Sequence, residues 1–424
     1  MLELNYLREN RDEAEQRLAK RNFDAKAALD KVRELDDMRR ATQTELDGRQ
    51  AELNSISKSV GELMKAGKKE EAEAAKSKST ELKAGIPALR EKLEACEQSL
   101  RDHLVTLPNA PSAKVPVGKT PEDNTVVMQE GAIPDLGPHA KPHWELGEEY
   151  GFLHMDLGVK LTGAGFPVYS GQGARLQRAL IAFFLDKATE AGYREIIPPH
   201  LVNADSAFAT GQLPDKEGQM YHATVDDLYL IPTAEVPITN LYRDEIIDAD
   251  RLPIRNVGYT PCFRREAGSY GAHVRGLNRV HQFDKVEIVR VEKPESSYAA
   301  LEEMVEHVKG LLRALELPYR QLLLCGGDMG FSSALTYDME VYSAAQQRWL
   351  EVSSISNFET FQSNRLKLRY RDENGKPRLA HTLNGSALAL ARIVAALLEN
   401  NQGPAGIRIP KALQPYTGFA MITK

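Results

Sequence analysis

The sequence predicts an α+β protein. An antiparallel helical coiled-coil hairpin comes first, and a domain built on an antiparallel sheet flanked by helices follows. Three observations predict this. Residues 1–106 are dense in Lys, Arg, Glu and Asp, carry proline only at Pro87, and place apolar residues at helical spacing. Residues 107–124 hold four prolines, which reads as an extended, fairly stiff linker. From about 125 onward, strand-like runs mostly succeed one another without helical crossovers, which favours antiparallel pairing.

The elements follow in order. Residues up to about Asn22 suit a short helix at the base of the arm. Leu46, Leu53, Ile56, Val60 and Leu63 form one apolar seam, and Leu82, Ile86, Leu89, Leu93, Cys96, Leu100 and Leu104 form a second with near-heptad spacing. Ala66-Gly67-Lys68-Lys69 is a plausible turn between them. Pro87 inside the second helix is expected to bend or interrupt it. Arg39, Arg40, Lys58, Lys65, Lys68 and Lys69 could meet a polyanion, yet interleaved Glu and Asp favour simple solvation of these faces. Amphipathic helices are predicted over 173–191 and 296–316. Strands are predicted over 228–231, 257–263, 282–291, 321–324, 337–342, 349–355 and 380–383.

Composition narrows the function. The chain has 424 residues, 42% hydrophobic and 27% charged, which suits two or three ordinary folded domains. A net charge of −6 gives no whole-chain nucleic-acid signature, so any RNA contact must be local. The three cysteines, Cys96, Cys262 and Cys325, are far apart. They form no zinc pattern, and an odd number argues against a disulfide framework, so no zinc is expected. The N-terminus is unlike a signal peptide, and no run is long enough to span a bilayer, so a cytoplasmic location without membrane partners is expected. No Gly-rich strand–helix fingerprint or P-loop occurs, so those nucleotide sites are not indicated.

Two stretches carry chemistry. Tyr259–Glu287 reads as two strands joined by a basic loop, with Gly268, Gly271 and Gly276 among Arg264, Arg265, Arg275 and Arg279. Arginine forks suit a carboxylate or phosphate held between the strands. In residues 380–401, Asn384-Gly385-Ser386 reads as a small-residue turn opening an apolar helix whose only cation is Arg392. Such an arginine needs an anion, which a triphosphate would supply, or it must snorkel to water.

With these motifs the whole chain resembles the bacterial-type seryl-tRNA synthetases, within the class II aminoacyl-tRNA synthetases. Residues 173–199 look like the first class II motif, Tyr259–Glu287 like the second and 381–398 like the third. Thr233-Ala234-Glu235-Val236-Pro237, Thr336-Tyr337-Asp338-Met339-Glu340 and Glu351-Val352-Ser353-Ser354-Ile355-Ser356-Asn357 are similar to segments typical of the serine enzymes. The resemblance implies a tRNA-binding arm over 1–106, a linker over 107–124 and a class II catalytic domain over 125–424. It also implies a homodimer joined through the first motif.

The implied reaction joins L-serine to ATP as seryl-adenylate, releasing pyrophosphate. Serine is then transferred to the 3′ end of tRNA(Ser), with tRNA(Sec) left open as a second acceptor. The implied catalytic residues are Arg264, Glu266 and Arg392. Arg264 would meet both the α-phosphate and the serine carboxylate. ATP would also be held by Arg265, Glu266, Arg279, Val280, Phe283 and Arg392, with Phe283 stacking on adenine. Glu351, Val352, Ser353 and Ser354 would complete that site, with Glu351 and Ser354 carrying Mg²⁺. Serine would be bound by Thr233, Ala234, Glu235, Arg264, Glu287, Asn384 and Ser386. The chain departs from the family pattern at Arg265, where serine is usual, and over Gly271-Ala272-His273-Val274-Arg275-Gly276. Further departures are Ala387 and Ala391 in place of glycine, and the loss of Lys-Phe after Gly211-Gln212-Leu213-Pro214.

Overall fold

The computed structural model describes residues 1–424 apart from 216, 268–270 and 272–273. Gly268 of the basic loop and the Ala272-His273 departure therefore lie outside the described residues. The chain divides into two compact units. One contains Leu2–Ala19 and Phe23–Pro108, and the other contains Met1, Lys20–Asn22 and Asn109–Lys424.

The first unit is helical. It comprises α1 (Leu4–Glu9), α2 (Arg11–Ala19), α3 (Ala25–Lys65) and α4 (Lys69–Thr106). Asp24 caps α3 by accepting from the Ala27 N–H. Gly67, at φ 74°, turns the chain between α3 and α4, a conformation glycine adopts without a Cβ clash. Ile86, Leu89, Cys96, Leu100 and Leu104 of the second seam are buried, whereas Leu46, Leu53, Ile56, Val60 and Leu63 are half-buried. Two helices alone can shield only one stripe of each other. Leu29 and Val32 extend the first seam further toward the base than the sequence pattern suggested. Pro87 does not interrupt α4. It lies on the exposed face, where the carbonyl left without its amide partner faces water.

Residues 109–124 are packed into the second unit instead of hanging as a tether. The Asn109 N–H donates to Phe331 O, its side-chain amide donates to Ser332 O and Phe358 O, and the Ser112 N–H donates to Ala334 O. Lys20–Asn22 join the same fabric. Arg21 donates to the carbonyls of Asn109, Met329, Gly330 and Ser333. Lys20 donates to those of Ser112, Ala113 and Val115, and Asn22 to that of Gly118.

Among the described residues, the central sheet has eight strands. In chain order they are β1 (Thr125–Glu130), β2 (Arg194–Glu195), β3 (Ile254–Phe263), β4 (Gln282–Glu292), β5 (Tyr319–Leu323), β6 (Leu335–Ser343), β7 (Arg348–Asn357) and β8 (His381–Ala389). Their spatial order is β1-β5-β6-β7-β8-β4-β3-β2, antiparallel throughout except where β2 runs parallel to β3. The expected turn at Asn384-Gly385-Ser386 is instead the middle of β8. This small-residue run fits a strand between β4 and β7, because Gly385 faces Ile355 so closely that a Cβ would stand 3.0 Å from its Cγ2.

The helices that matter for the site are α5 (His143–Glu149), α6 (Gly171–Glu190), α7 (Glu235–Asn240), α8 (Ser297–Ala314), α9 (Phe361–Leu366) and α10 (Leu390–Asn400). Phe183 and Phe184 of α6, Leu301 and Val308 of α8, and Ile393 and Leu397 of α10 share one core cluster with Val286 and Ile288 of β4. The sheet is thus a rigid floor, a good support for a site that needs fixed geometry. No described helix is long and apolar enough to cross a membrane.

Candidate active site

A cavity of about 600 Å³ opens over the sheet, walled by β4, β6, β7, β8 and the basic loop. Strand β4 organises it. Side chains two residues apart point to one face of a strand, and Phe283, Lys285 and Glu287 all line the cavity. At 3.4 Å per residue they space the floor over about 14 Å.

At the inner end the side chains form a buried charge cluster. Lys285 pairs with Glu287, and its ammonium donates to the Thr233 hydroxyl at 3.0 Å. Thr233 in turn donates to Glu287 Oε2 at 3.0 Å, and its oxygen accepts from the Glu235 N–H at 3.2 Å. Glu235, at the start of α7, is hydrogen-bonded by Gln362 of α9 and by Asn384 of β8. Gln362 is fixed by the Thr382 hydroxyl, which donates to its carbonyl oxygen at 2.7 Å. Burial, and secondly the neighbouring Glu287 carboxylate, push the Glu235 carboxyl up to about 7. Ser386 stands opposite Glu287 in the β4–β8 register.

At the outer end the groups are cationic. The Arg264 Nε donates to Pro232 O at 3.3 Å, and its guanidinium lies 5.2 Å from the Phe283 ring centroid. Arg279 pairs with Glu266 at 2.9 Å. Glu266 itself sits at φ 47°, a left-handed conformation uncommon outside glycine and often found at functional sites. Arg392, near the start of α10, donates through Nε to Asn278 O at 2.9 Å and through Nη1 to Glu351 O at 2.8 Å. Its orientation is therefore set by two main-chain carbonyls and by the Glu351 carboxylate 3.6 Å from Nη1, and a five-donor guanidinium held by these still has capacity for a further anion.

A third wall carries oxygen donors. Asp338 of β6 lies opposite Ser354 of β7, which hydrogen-bonds it, and both line the cavity with Glu351. Burial, and secondly the Glu351 charge, raise the Asp338 carboxyl well above its ordinary range. Its Oδ1 is buried with no hydrogen-bond partner. An orphaned buried carboxylate oxygen beside another carboxylate and a hydroxyl suits a hard cation such as Mg²⁺. No cluster of three His, Cys, Asp or Glu side chains stands ready to hold a metal among the described residues. Asp338, Glu351 and Ser354 offer oxygen donors alone, the kind a hard cation takes.

Of the residues singled out in the sequence, Thr233, Glu235, Arg264, Glu266, Arg279, Val280, Phe283 and Glu287 line the cavity. So do Glu351, Val352, Ser353, Ser354, Asn384, Ser386 and Arg392. Ala234 is fully buried behind the wall, and Arg265 is held through its backbone N–H to Gln219 O rather than presented to the cavity. Lys285, Asn278 and Asp338 were not singled out as site residues. The period-two pattern through Phe283 and Glu287 could have found Lys285, and the same pattern through Thr336 could have found Asp338. Asn278 offered no such signal.

Comparisons with known proteins agree with this geometry. Residues 220–401 match the tRNA synthetase class II core domain (G, H, P, S and T), and residues 1–111 match the seryl-tRNA synthetase N-terminal domain. The serine–tRNA ligase of Salinibacter ruber is 51% identical over 100% of this chain and 99% of its own length. That of Methylacidiphilum infernorum is 48% identical over 98% of this chain and 99% of its own. The crystal structure of seryl-tRNA synthetase from Pyrococcus horikoshii complexed with ATP superposes with a TM-score of 0.94 at 34% identity, covering 100% of this chain and 99% of that one.

Proposed function

The chain belongs to the serine–tRNA ligase family, and from that premise we propose how its cavity divides the work of activating serine. The observation that carries the reading is the charge gradient along β4. Its inner end holds two carboxylates, Glu235 and Glu287, against one ammonium, Lys285. One carboxylate is left for one incoming cation, which the amino group of serine supplies. Thr233, Asn384 and Ser386 are small polar neighbours sized for a short hydroxyl. Alanine would leave those groups unpaired, which costs strongly. Threonine is resisted only by the lack of room for a methyl, worth roughly 1–3 kcal/mol.

The outer end suits ATP. Phe283 offers a face for adenine with Glu266 at its edge, and Arg279 and Arg392 meet the β- and γ-phosphates. Arg264, stacked over Phe283 at the outer end and tied through Nε to Pro232 O, next in sequence to Thr233, would bridge the two ends. Its fork can hold the serine carboxylate and the α-phosphate together, so that a carboxylate oxygen attacks phosphorus in line with departing pyrophosphate. Catalysis of this kind is positioning plus charge stabilisation, with no covalent protein intermediate. Glu351 and Ser354, with Asp338 beside them, would hold Mg²⁺. When bound, that ion neutralises charge on the phosphates.

The acceptor is tRNA(Ser), with the helical unit as its reader. The match of residues 1–111 to the seryl-tRNA synthetase N-terminal domain supports this reading, since Asp and Glu are interleaved with the Lys and Arg of α3 and α4 and charge alone does not. tRNA(Sec) stays open as a second acceptor. We infer a homodimer joined through residues 173–199, a reading supported by β2 being an open edge of the sheet that a second copy could cover. A solution mass of 47.2 kDa, that of one chain, would overturn the dimer.

The deciding experiment is pyrophosphate exchange into ATP with each of the twenty amino acids, with Mg²⁺ and without tRNA. Serine should drive exchange, with threonine far behind. Exchange led by another amino acid would refute the pocket assignment.

A further inference from the structure

His143 and Glu399 are both fully buried, and neither lines the cavity. Ligand contact explains neither of them. A buried carboxylate persists only where donors replace its water. Glu399 Oε1 accepts from the His143 N–H at 2.8 Å, from His143 Nδ1 at 2.6 Å and from Gln346 Nε2 at 2.9 Å. Its Oε2 accepts from the Ser343 hydroxyl. The other imidazole nitrogen is also engaged. The Leu277 N–H donates to His143 Nε2 at 2.7 Å, so Nε2 must be bare and the ring proton must sit on Nδ1, facing Glu399.

Leu277 belongs to the distal limb of the basic loop, and the loop is shaped to receive the imidazole. Gly276 lies at φ 67°, and a Cβ there would stand 2.3 Å from His143 Nε2. From Leu277 the chain runs directly into Asn278 and Arg279. The Asn278 carbonyl accepts from Arg392 Nε, and its side chain donates to Gln346 Oε1 at 2.8 Å, the same glutamine that donates to Glu399. Arg279 pairs with Glu266. One hydrogen-bonded chain thus runs from Glu399 on α10, through His143 on α5, to the backbone that sets Arg279 and Arg392.

We propose that the His143–Glu399 pair is a positioning clamp for serine activation. It fixes the Leu277–Arg279 limb so that Arg279 and Arg392 present their guanidinium groups to the triphosphate in one geometry. It rests on the assignment of those two arginines to ATP. Neither clamp residue touches substrate. Glu399 acts through the histidine tautomer. In Glu399→Gln the amide N–H can donate to Nδ1, which would drive the proton to Nε2, against the Leu277 N–H.

The test measures KM for ATP and KM for serine in pyrophosphate exchange, alongside thermal unfolding. Glu399→Gln and His143→Phe should raise KM for ATP about tenfold or more, as small misplacements of binding groups do, and leave KM for serine unchanged. His143→Gln, which keeps an acceptor near the Nε2 position, should recover part of the loss. Gly276→Ala leaves both clamp residues in the chain but crowds the imidazole, and should shift the same constant. Equal losses toward ATP and serine, or an unchanged KM for ATP in folded Glu399→Gln and Gly276→Ala, would overturn the clamp. Should His143→Phe fail to fold, those two variants decide. Arg392→Ala separates the layers. If it raises KM for ATP while the clamp variants do not, only the clamp is wrong. If it leaves KM for ATP unchanged, the assignment of the arginines fails and takes the clamp with it.

Discussion

Arg264 sits over Phe283 with its guanidinium aimed across the cavity, and two of its properties cannot be supplied by another residue: a planar fork and a face that stacks on an aromatic ring. Arg264→Ala should reduce exchange by roughly a hundredfold or more, the usual cost of losing a transition-state donor, with the thermal transition preserved. Arg264→Lys should recover little of it, and near-normal exchange in either variant would remove Arg264 from the chemistry. Glu235 gives a second prediction, in pH. Its folded pKa, about 7, lies above the ordinary 4.5, so the folded chain holds a proton that the unfolded chain releases. Its contribution is fully present below about 4.5 and is lost as pH rises through about 7. Without ligands, wild type should therefore lose stability relative to Glu235→Gln across that window. Serine binding, which favours the ionised carboxylate, should release a proton near pH 6.5. Calorimetry in two buffers of different ionisation enthalpy measures it, and no difference between buffers would refute the assignment. At this scale most of the site was legible, because Arg264, Arg392 and Glu287 are residue types whose burial demands a partner. Asp338 was not, because its isolation is a property of three dimensions: only the β6–β7 register brings it beside Ser354 and Glu351.

Elements were legible where one periodicity dominated. Strands β3 and β4 and helices α6 and α8 fall within a few residues of expectation because their alternation or helical spacing is unbroken. The run Asn384-Gly385-Ser386 misled because small polar residues signal turns only when the backbone is exposed. Between β4 and β7, Asn384 and Gly385 are paired on both sides, and small side chains are what tight packing over Ile355 requires. Pro87 misled in the same way, since a helix pinned by a long neighbour can tolerate one missing donor on its wet face. In the hairpin, Leu100 is 4% exposed on the face that packs against α3. Leu100→Ala should destabilise the helical unit by roughly 2–5 kcal/mol, the usual cost of a buried leucine truncation. Circular dichroism should show the loss, while serine-dependent exchange persists. Coordinate loss of exchange would show that the two units do not fold independently.

For the whole molecule, the sequence placed the division near a proline-rich stretch, and the proline-rich stretch turned out to be packed. Proline stiffens a segment whether or not it is free, and here Asn109 and Ser112 bind it down with hydrogen bonds that composition cannot reveal. A truncation that removes 1–106 would also remove Arg21, whose guanidinium holds the carbonyls of Met329, Gly330 and Ser333 on the loop that lines the cavity. That truncation should lose both exchange and tRNA charging. Trimming α3 and α4 back from the Gly67 turn, with Lys20–Asn22 kept, should lose charging alone. Equal exchange in both constructions would remove Arg21 from the support of the site.

Lys20–Asn22 follow α2 in sequence yet are hydrogen-bonded into the second unit. The second unit is sewn from pieces that are distant in sequence, so the covalent path through the hairpin is not what keeps them together. A single protease cut at the exposed Gly67 turn would leave a light and a heavy fragment, joined by the α3–α4 seam and by the three residues stitched into the heavy one. The protein should therefore survive as a two-chain molecule, and the halves should reassemble when expressed from separate messages.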